Sequence, residues 1–337
     1  MKVNNKETLR ILIYGEPYEW AMAFNMKEAW HAMGHEVHIF DWTQWLFRTK
    51  KYTLKNRIFD RIFYSKVAKK INDNLIDTLK HDAFDLLVVL KGVHLFPATI
   101  TEAKKQVEKV VNWNPDDFFN PLNNSNYLLE SFKKYDCIFT PRNHLQQEYY
   151  ENGARRVEIL NWYYLPKFQH PVDVSPDEKQ EHDSEIAFIG TWSKRREKII
   201  GELQQFDVTI WGTHWHRASQ QFKKSVDCRN PIYSEDMCKA VCSAKINLNI
   251  LTQENRDTTN VRNFEIAACS GFQLSERSGE ILKLFEEDKE IACFGNSEEL
   301  VSKCDYYLRH PDQRDKIRLN GHERVLRDKH TMADRAR

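Results

Sequence analysis

The residues best able to do chemistry sit in one stretch, Asn260-Val261-Arg262-Asn263-Phe264-Glu265-Ile266-Ala267-Ala268-Cys269-Ser270-Gly271-Phe272-Gln273-Leu274. Its pattern predicts a helix closed by Gly271 and followed at once by a buried strand. Asp257-Thr258-Thr259-Asn260 precedes it. These small polar residues cap helices, and a helix start offers free backbone N–H groups to a phosphate. Arg262 and Glu265 are three apart and share one helical face. A cation there can reach a diphosphate while the carboxylate accepts both hydroxyls of a ribose, so the pair could hold a nucleotide. An ordinary surface ion pair has the same spacing.

A second group supports the same site. Phe188-Ile189-Gly190-Thr191-Trp192 reads as a strand running into a turn, with Lys194, Arg195 and Arg196 after it. Gly190 would let backbone approach a ligand, and Arg195 or Arg196 could neutralise a departing anion; a solvated basic helix start is the plainer alternative. Trp211 and Gly212 end another strand and could wall a base pocket. His214 and His216 form a His-x-His pair, but spacing places no third metal ligand. On the N-terminal side, Gly15-Glu16-Pro17 lacks a GxGxxG pattern, which weakens a dinucleotide reading. His94 and Asp116 follow strands and are acceptor-side candidates, Asp116 as a general base. Asn114-Pro115-Asp116-Asp117 is also ordinary turn chemistry, and Asp117 reads as a turn residue.

The elements that must position these residues alternate. Leu9–Tyr14, a helical pattern to Met33, Gly34 as a left-handed stop and Val37–Phe40 make a β-α-β unit. Strand-like runs recur at 85–90, 107–111, 137–140 and 157–160. After a polar, proline-bearing stretch at 166–184 they restart at 185–189, 208–211, 246–251, 272–274 and 290–294, and a helical tail follows from Ser297. That rhythm predicts two α/β domains with parallel sheets, residues 1–168 and 185–337, joined by a linker at 169–184 and facing a cleft. Cys238, Cys242 and Cys269 read as packing residues.

The chain of 337 residues suits two domains, and 41% hydrophobic with 29% charged residues excludes a disordered chain. A net charge of +1 argues against capture of nucleic acid by bulk electrostatics. No run approaches the roughly 20 apolar residues of a membrane span, and the N-terminus lacks a signal-peptide stretch. Seven scattered cysteines fit reduced thiols, so a cytoplasmic location is expected. Residues 42–71 hold nine Lys/Arg, one acidic residue and seven aromatics. This pattern suits peripheral contact with an anionic membrane at its inner face, or else a helix packed on the sheet with solvated charges.

Several pieces recur in a familiar order: R-N-F-E-I-A-A-C-S-G-F-Q-L (262–274), L-F-E-E-D-K-E-I (284–291), E-E-L (298–300), Y-Y-L-R-H-P (306–311) and H-T-M-A-D-R (330–335). F-I-G-T-W-S-K-R-R (188–196), Y-D-C-I-F-T-P (135–141) and N-G-A-R-R-V (152–157) lie upstream. Together they resemble CgeB-like glycosyltransferases, the spore-maturation type within the GT-B superfamily. The resemblance implies two Rossmann-like domains, a nucleotide-sugar donor held mainly by the second and a glycan, glycolipid or glycoprotein acceptor mainly by the first. It implies donor contacts at Gly190, Thr191, Trp211, Gly212, Asp257, Thr259, Asn260, Arg262 and Glu265, with no metal and no cofactor. Retaining relatives carry a paired-glutamate motif whose second member would be Glu265, on the ribose, and whose first falls on Asp257, a methylene shorter. A retaining transfer to an envelope glycan or glycoconjugate is therefore expected, with domain closure excluding water. The alternative is a non-catalytic GT-B-like nucleotide- or glycan-binding protein of an envelope-assembly complex. Such folds carry a helix back to the first domain after the His330-Thr331 region; here that crossing is expected to be short or to lie past Arg337.

Overall fold

The computed structural model describes residues 7–46, 53–121, 123–125 and 127–337. The chain forms two compact units. The first runs through Asn161 and includes Glu254–Arg256 and Arg335–Arg337; the second comprises Trp162–Gln253 and Asp257–Asp334. The boundary thus falls ahead of the expected one at 168. Segment 169–184 belongs to the second unit and holds a helix, Pro176–His182, started by a Ser175–Glu178 capping box.

The first unit is built on β1 (Arg10–Gly15), β2 (Glu36–Asp41), β3 (Leu86–Leu90), β4 (Lys109–Trp113), β5 (Cys137–Thr140) and β6 (Val157–Ile159). They form one parallel sheet in the order β2-β1-β3-β4-β5-β6. Ile11, Leu12, Ile13 and Tyr14 are all buried, as a parallel strand covered on both faces requires. Gly34 takes φ +88° and ends the helix Met22–Ala32 as its position predicts.

The second unit contains β7 (Ile186–Ile189), β8 (Val208–Trp211), β9 (Asp227–Arg229), β10 (Ile246–Asn249), β11 (Gln273–Glu276) and β12 (Ala292–Phe294). Its parallel sheet runs β12-β11-β10-β7-β8-β9, the doubly wound nucleotide-binding order. The chain leaves β7 in one direction and β10 in the other, so a crevice opens outside their carboxyl ends. One face packs Phe188, Ile210 and Leu248 against the helices Lys194–Ile200 and Ser297–Arg309. On the other, Ala187 and Trp211 meet Ala240 and Ala244 at the helix Ser234–Ser243, and Val241 meets Ile266 of the helix Val261–Ala268.

That last helix ends differently from expectation. Ser270, not Gly271, takes the left-handed conformation, with φ +55°. Gly271 is required for space, because a Cβ there would lie 2.5 Å from Val241 Cγ1 and 2.8 Å from Asn247 Nδ2.

An ion network ties β11 to the helix Ser297–Arg309. Arg277 pairs with Glu287 and Glu299, and Lys303 reaches Glu287 at 3.2 Å. The Arg277 guanidinium holds the Glu299 carboxyl down at about 2, from the usual 4.5. A depressed carboxylate stabilises the fold fully above its unfolded value and loses that contribution as pH falls through its folded value. Stability of the second unit therefore drops between pH 4.5 and pH 2. Glu299→Gln removes about 2 kcal/mol of that drop, after discounting for partial solvent screening. Urea unfolding of both proteins across this range checks it.

Candidate active site

Of the expected donor residues, Gly190 and Thr191 follow β7 and Gly212 follows β8, while Asp257, Thr259 and Asn260 lead into the helix Val261–Ala268, which carries Arg262 and Glu265. Arg196 bridges the turns after β7 and β10: Nη1 donates to Thr191 O at 2.9 Å, and Nη2 to Ile250 O at 2.8 Å and Thr252 Oγ1 at 3.0 Å. Its guanidinium lies 5.4 Å from the Phe188 ring. A planar fork of fixed donors suits this bracket better than an ammonium would. Arg195 turns the other way and pairs through both Nη atoms with Glu276, while Nη1 also donates to Leu251 O at 3.3 Å. Glu276 in turn accepts from Leu251 N at 3.1 Å. Sequence reasoning missed Glu276 and Thr252; a carboxylate closing a buried strand, as in Leu274-Ser275-Glu276, is the signal that could have found the first.

Gly190 and Gly212 lie side by side. A Cβ on Gly212 would overlap the Gly190 carbonyl, and one on Gly190 would lie 2.9 Å from the Phe188 ring. The two backbone turns therefore approach closely, and it is the missing side chain of Gly212 that lets them do so. Trp211 needs a correction. It is 3% exposed and packs on Ala187 and Ala240, so it is a core residue and walls no base pocket. Its place on the sheet's alternating faces turns it inward.

The segment before the helix Val261–Ala268 is pinned at each step. Asp257 Oδ2 accepts from Thr252 N at 3.3 Å, the buried Thr259 offers its carbonyl to Trp162 Nε1 at 3.2 Å, and Asn260 caps the helix. The Asn249 and Asn260 amides exchange two hydrogen bonds of 3.0 Å. Arg262 Nη1 lies 2.8 Å from Glu265 Oε2, with the side chains 21% and 15% exposed. Glu265 Oε2 is buried and aligned for no hydrogen bond. This is a half-sequestered pair on the face that meets Met237, and not a solvated surface pair.

Cys238 and Cys269 Sγ are 3.0 Å apart, and Cys242 Sγ donates to Cys269 O at 3.3 Å. Hydrogen bonding to Cys238 and burial push the Cys269 thiol well up. An open groove of about 1090 Å³ runs beside Trp192, Lys194, Arg195, Arg217, Glu276 and Asn296. His214 and His216 are exposed, with ring centroids 6.0 Å apart, and among the described residues no cluster of three metal-ligating side chains occurs.

In the first unit His94 is 7% exposed, with Trp42 4.9 Å and Tyr64 5.6 Å from its ring, so it presents no open imidazole. Asp116 is ion-paired with Lys91 at 2.7 Å and takes the Asn255 amide at 3.3 Å. Asp117 behaves as a turn residue, accepting from Phe119 N at 3.0 Å. Its fully buried carboxylate also grips Arg256, which reaches on to Glu148. His94 lies among aromatic rings and Asp116 in an ion pair.

The architecture is that of the GT-B glycosyltransferases. Three solved structures share it over nearly the whole chain. Sucrose-phosphate synthase from Thermosynechococcus elongatus is 13% identical with a TM-score of 0.71, covering 98% of this chain and 96% of that one. A glycosyltransferase from Rickettsia africae is 12% identical with a TM-score of 0.67, covering 98% and 96%. HepE from Anabaena, in complex with UDP, is 10% identical with a TM-score of 0.64, covering 98% and 97%. Residues 194–337 match the family described as glycosyl transferase-like. No curated protein matches the chain.

Proposed function

We propose that the protein is a glycosyltransferase of the CgeB-like type. It moves a sugar from a nucleoside-diphosphate sugar to a hydroxyl of a cell-envelope glycan or glycoconjugate, with retention, without a metal, and in the cytoplasm. The observation that carries this reading is the pair Arg195 and Arg196 at the carboxyl ends of β7 and β10, where a doubly wound sheet binds ligands. Glu276 occupies the Arg195 fork with two oxygens, and two diphosphate oxygens match that geometry. In the reaction the glycosidic C–O bond to the diphosphate breaks, the acceptor oxygen bonds to the anomeric carbon, and the acceptor's hydroxyl proton passes to an oxygen of the departing diphosphate. Arg195 and Arg262 then neutralise the departing diphosphate, while Arg196 holds the two turns in register. Glu265 takes the ribose hydroxyls. HepE has been seen with UDP and with UDP-glucose, which supports a nucleotide-sugar donor of this class here.

A second reading, binding without turnover, is favoured by Asp257, whose shorter carboxylate is engaged by Thr252 N. Calorimetry with UDP, GDP, dTDP, CDP and NAD, with and without magnesium, tests the site. Saturable binding of one nucleoside diphosphate without metal is expected. Binding of NAD alone, or of none of the five, overturns the donor site and with it the transferase reading, and leaves an oxidoreductase or a glycan-binding scaffold. Binding with no product from any matching nucleotide sugar and glycan acceptor leaves the non-catalytic one.

A further inference from the structure

In the first unit two helices, Leu54–Ile62 and Tyr64–His81, meet at Phe63. The second helix is anchored in the core by Ala68, Ile71, Leu75 and Leu79, all buried. The first leaves apolar groups in solvent: Ile58, Ile62 and Phe63 are 48%, 66% and 39% exposed. Ile58 and Ile62 are four apart and so stack on one helical face. Exposed cations lie on the same two helices at Lys55, Arg61, Lys66 and Lys70, Lys69 is paired with Asp73 at 2.6 Å, and the one carboxylate of the helix Leu54–Ile62, Asp60, is buried. Lys55 Nζ and Lys66 Nζ lie 5.5 Å and 5.9 Å from the rings of Phe59 and Phe63. Lys50 and Lys51, in the same basic stretch of sequence, lie outside the described residues.

From this surface we infer that the first unit docks on an anionic lipid membrane, with the ammonium and guanidinium groups at the headgroups and Ile58, Ile62 and Phe63 in the acyl boundary. Single exposed apolar residues are ordinary, but three within one short helix and its cap, beside exposed cations at Lys55, Arg61 and Lys66, suit an interface that is apolar below and anionic above. Each cation held near such a surface strengthens binding several-fold, and salt weakens it. The patch borders the carboxyl end of β3, because Tyr64 donates its hydroxyl to Val93 O at 3.1 Å. The inference concerns this surface alone and holds whatever the donor site carries.

The test is co-sedimentation of the full chain with phosphatidylglycerol–phosphatidylcholine vesicles and with phosphatidylcholine vesicles. Binding to the anionic vesicles only, weakening with salt, is expected. Lys55→Glu/Lys66→Glu/Lys70→Glu lowers the partition coefficient on the order of 100-fold. Ile58→Ser/Ile62→Ser lowers it about tenfold or more. All five side chains are exposed, so the melting temperature reports a retained fold. Equal binding to both vesicle types, binding to neither, or unchanged binding by both variants overturns the inference. So does a dimer on sizing that the isoleucine variant dissolves while vesicles remain unbound, since a second copy then covers the patch.

Discussion

Glu265→Ala lowers affinity for a ribonucleoside diphosphate by roughly 10- to 100-fold and turnover at least as much. In the proposed reading this carboxylate accepts from two ribose hydroxyls, and hydrogen bonds to a charged group contribute about 1.5–3 kcal/mol. Its Oε2 is buried beside Arg262 with no aligned donor, so it is already desolvated and a ligand hydroxyl costs it little further water. Removing it also leaves Arg262 half-sequestered beside Met237 without its partner, which destabilises the fold by about 1–2 kcal/mol. The sugar moiety separates the two effects. The unaltered protein discriminates UDP from its 2′-deoxy analogue, or whichever base binds, and Glu265→Ala erases that difference. A purely structural role weakens both ligands alike, and unchanged affinity and turnover remove Glu265 from the ribose altogether.

Most strands were legible because each is a short apolar run stopped by a glycine or a charge, as Ile186–Ile189 is stopped by Gly190. β9 was missed since Asp227-Cys228-Arg229 has no such run; it exists through pairing with β8 at the sheet edge. The helix Pro176–His182 was hidden by prolines and charges, although Ser175 and Glu178 spell a capping box. Strand order is a property of long-range pairing, so local pattern gave the parallel class but not the reversal between β7 and β10.

The site divides in the same way. Residue type and spacing brought Arg195, Arg196 and Glu265 forward. Which acceptors hold the arginines was not legible, because Ile250 and Thr252 lie more than fifty residues further on. Asp117 was read correctly as a turn residue, but its grip on Arg256 spans 139 positions. The end of a strand is not an exposed edge, and Trp211, last in β8, packs inward on Ala187 and Ala240.

Gly212→Ala costs the second unit about 3 kcal/mol and lowers its melting temperature by about 10 °C. A methyl there would overlap the Gly190 carbonyl and lie 2.9 Å from Trp215 Nε1. Neither neighbour is the free end of a flexible side chain. Gly190 N donates to Trp211 O at 2.9 Å, and Gly190 O accepts from Trp215 Nε1 at 2.9 Å. Relieving the overlap therefore breaks the hydrogen bonds that hold the turns after β7 and β8 together. Thr191 lies in the same turn, and its carbonyl accepts from Arg196. Nucleoside diphosphate affinity falls with stability, even at temperatures where the variant is fully folded. Gly279→Ala is the matched control, since a Cβ there meets nothing within 4 Å and the melting temperature should stay within about 1 °C. Equal melting temperatures for the two variants would mean that the turns yield freely, and Arg196 would then be bracketing mobile loops and not rigid turns.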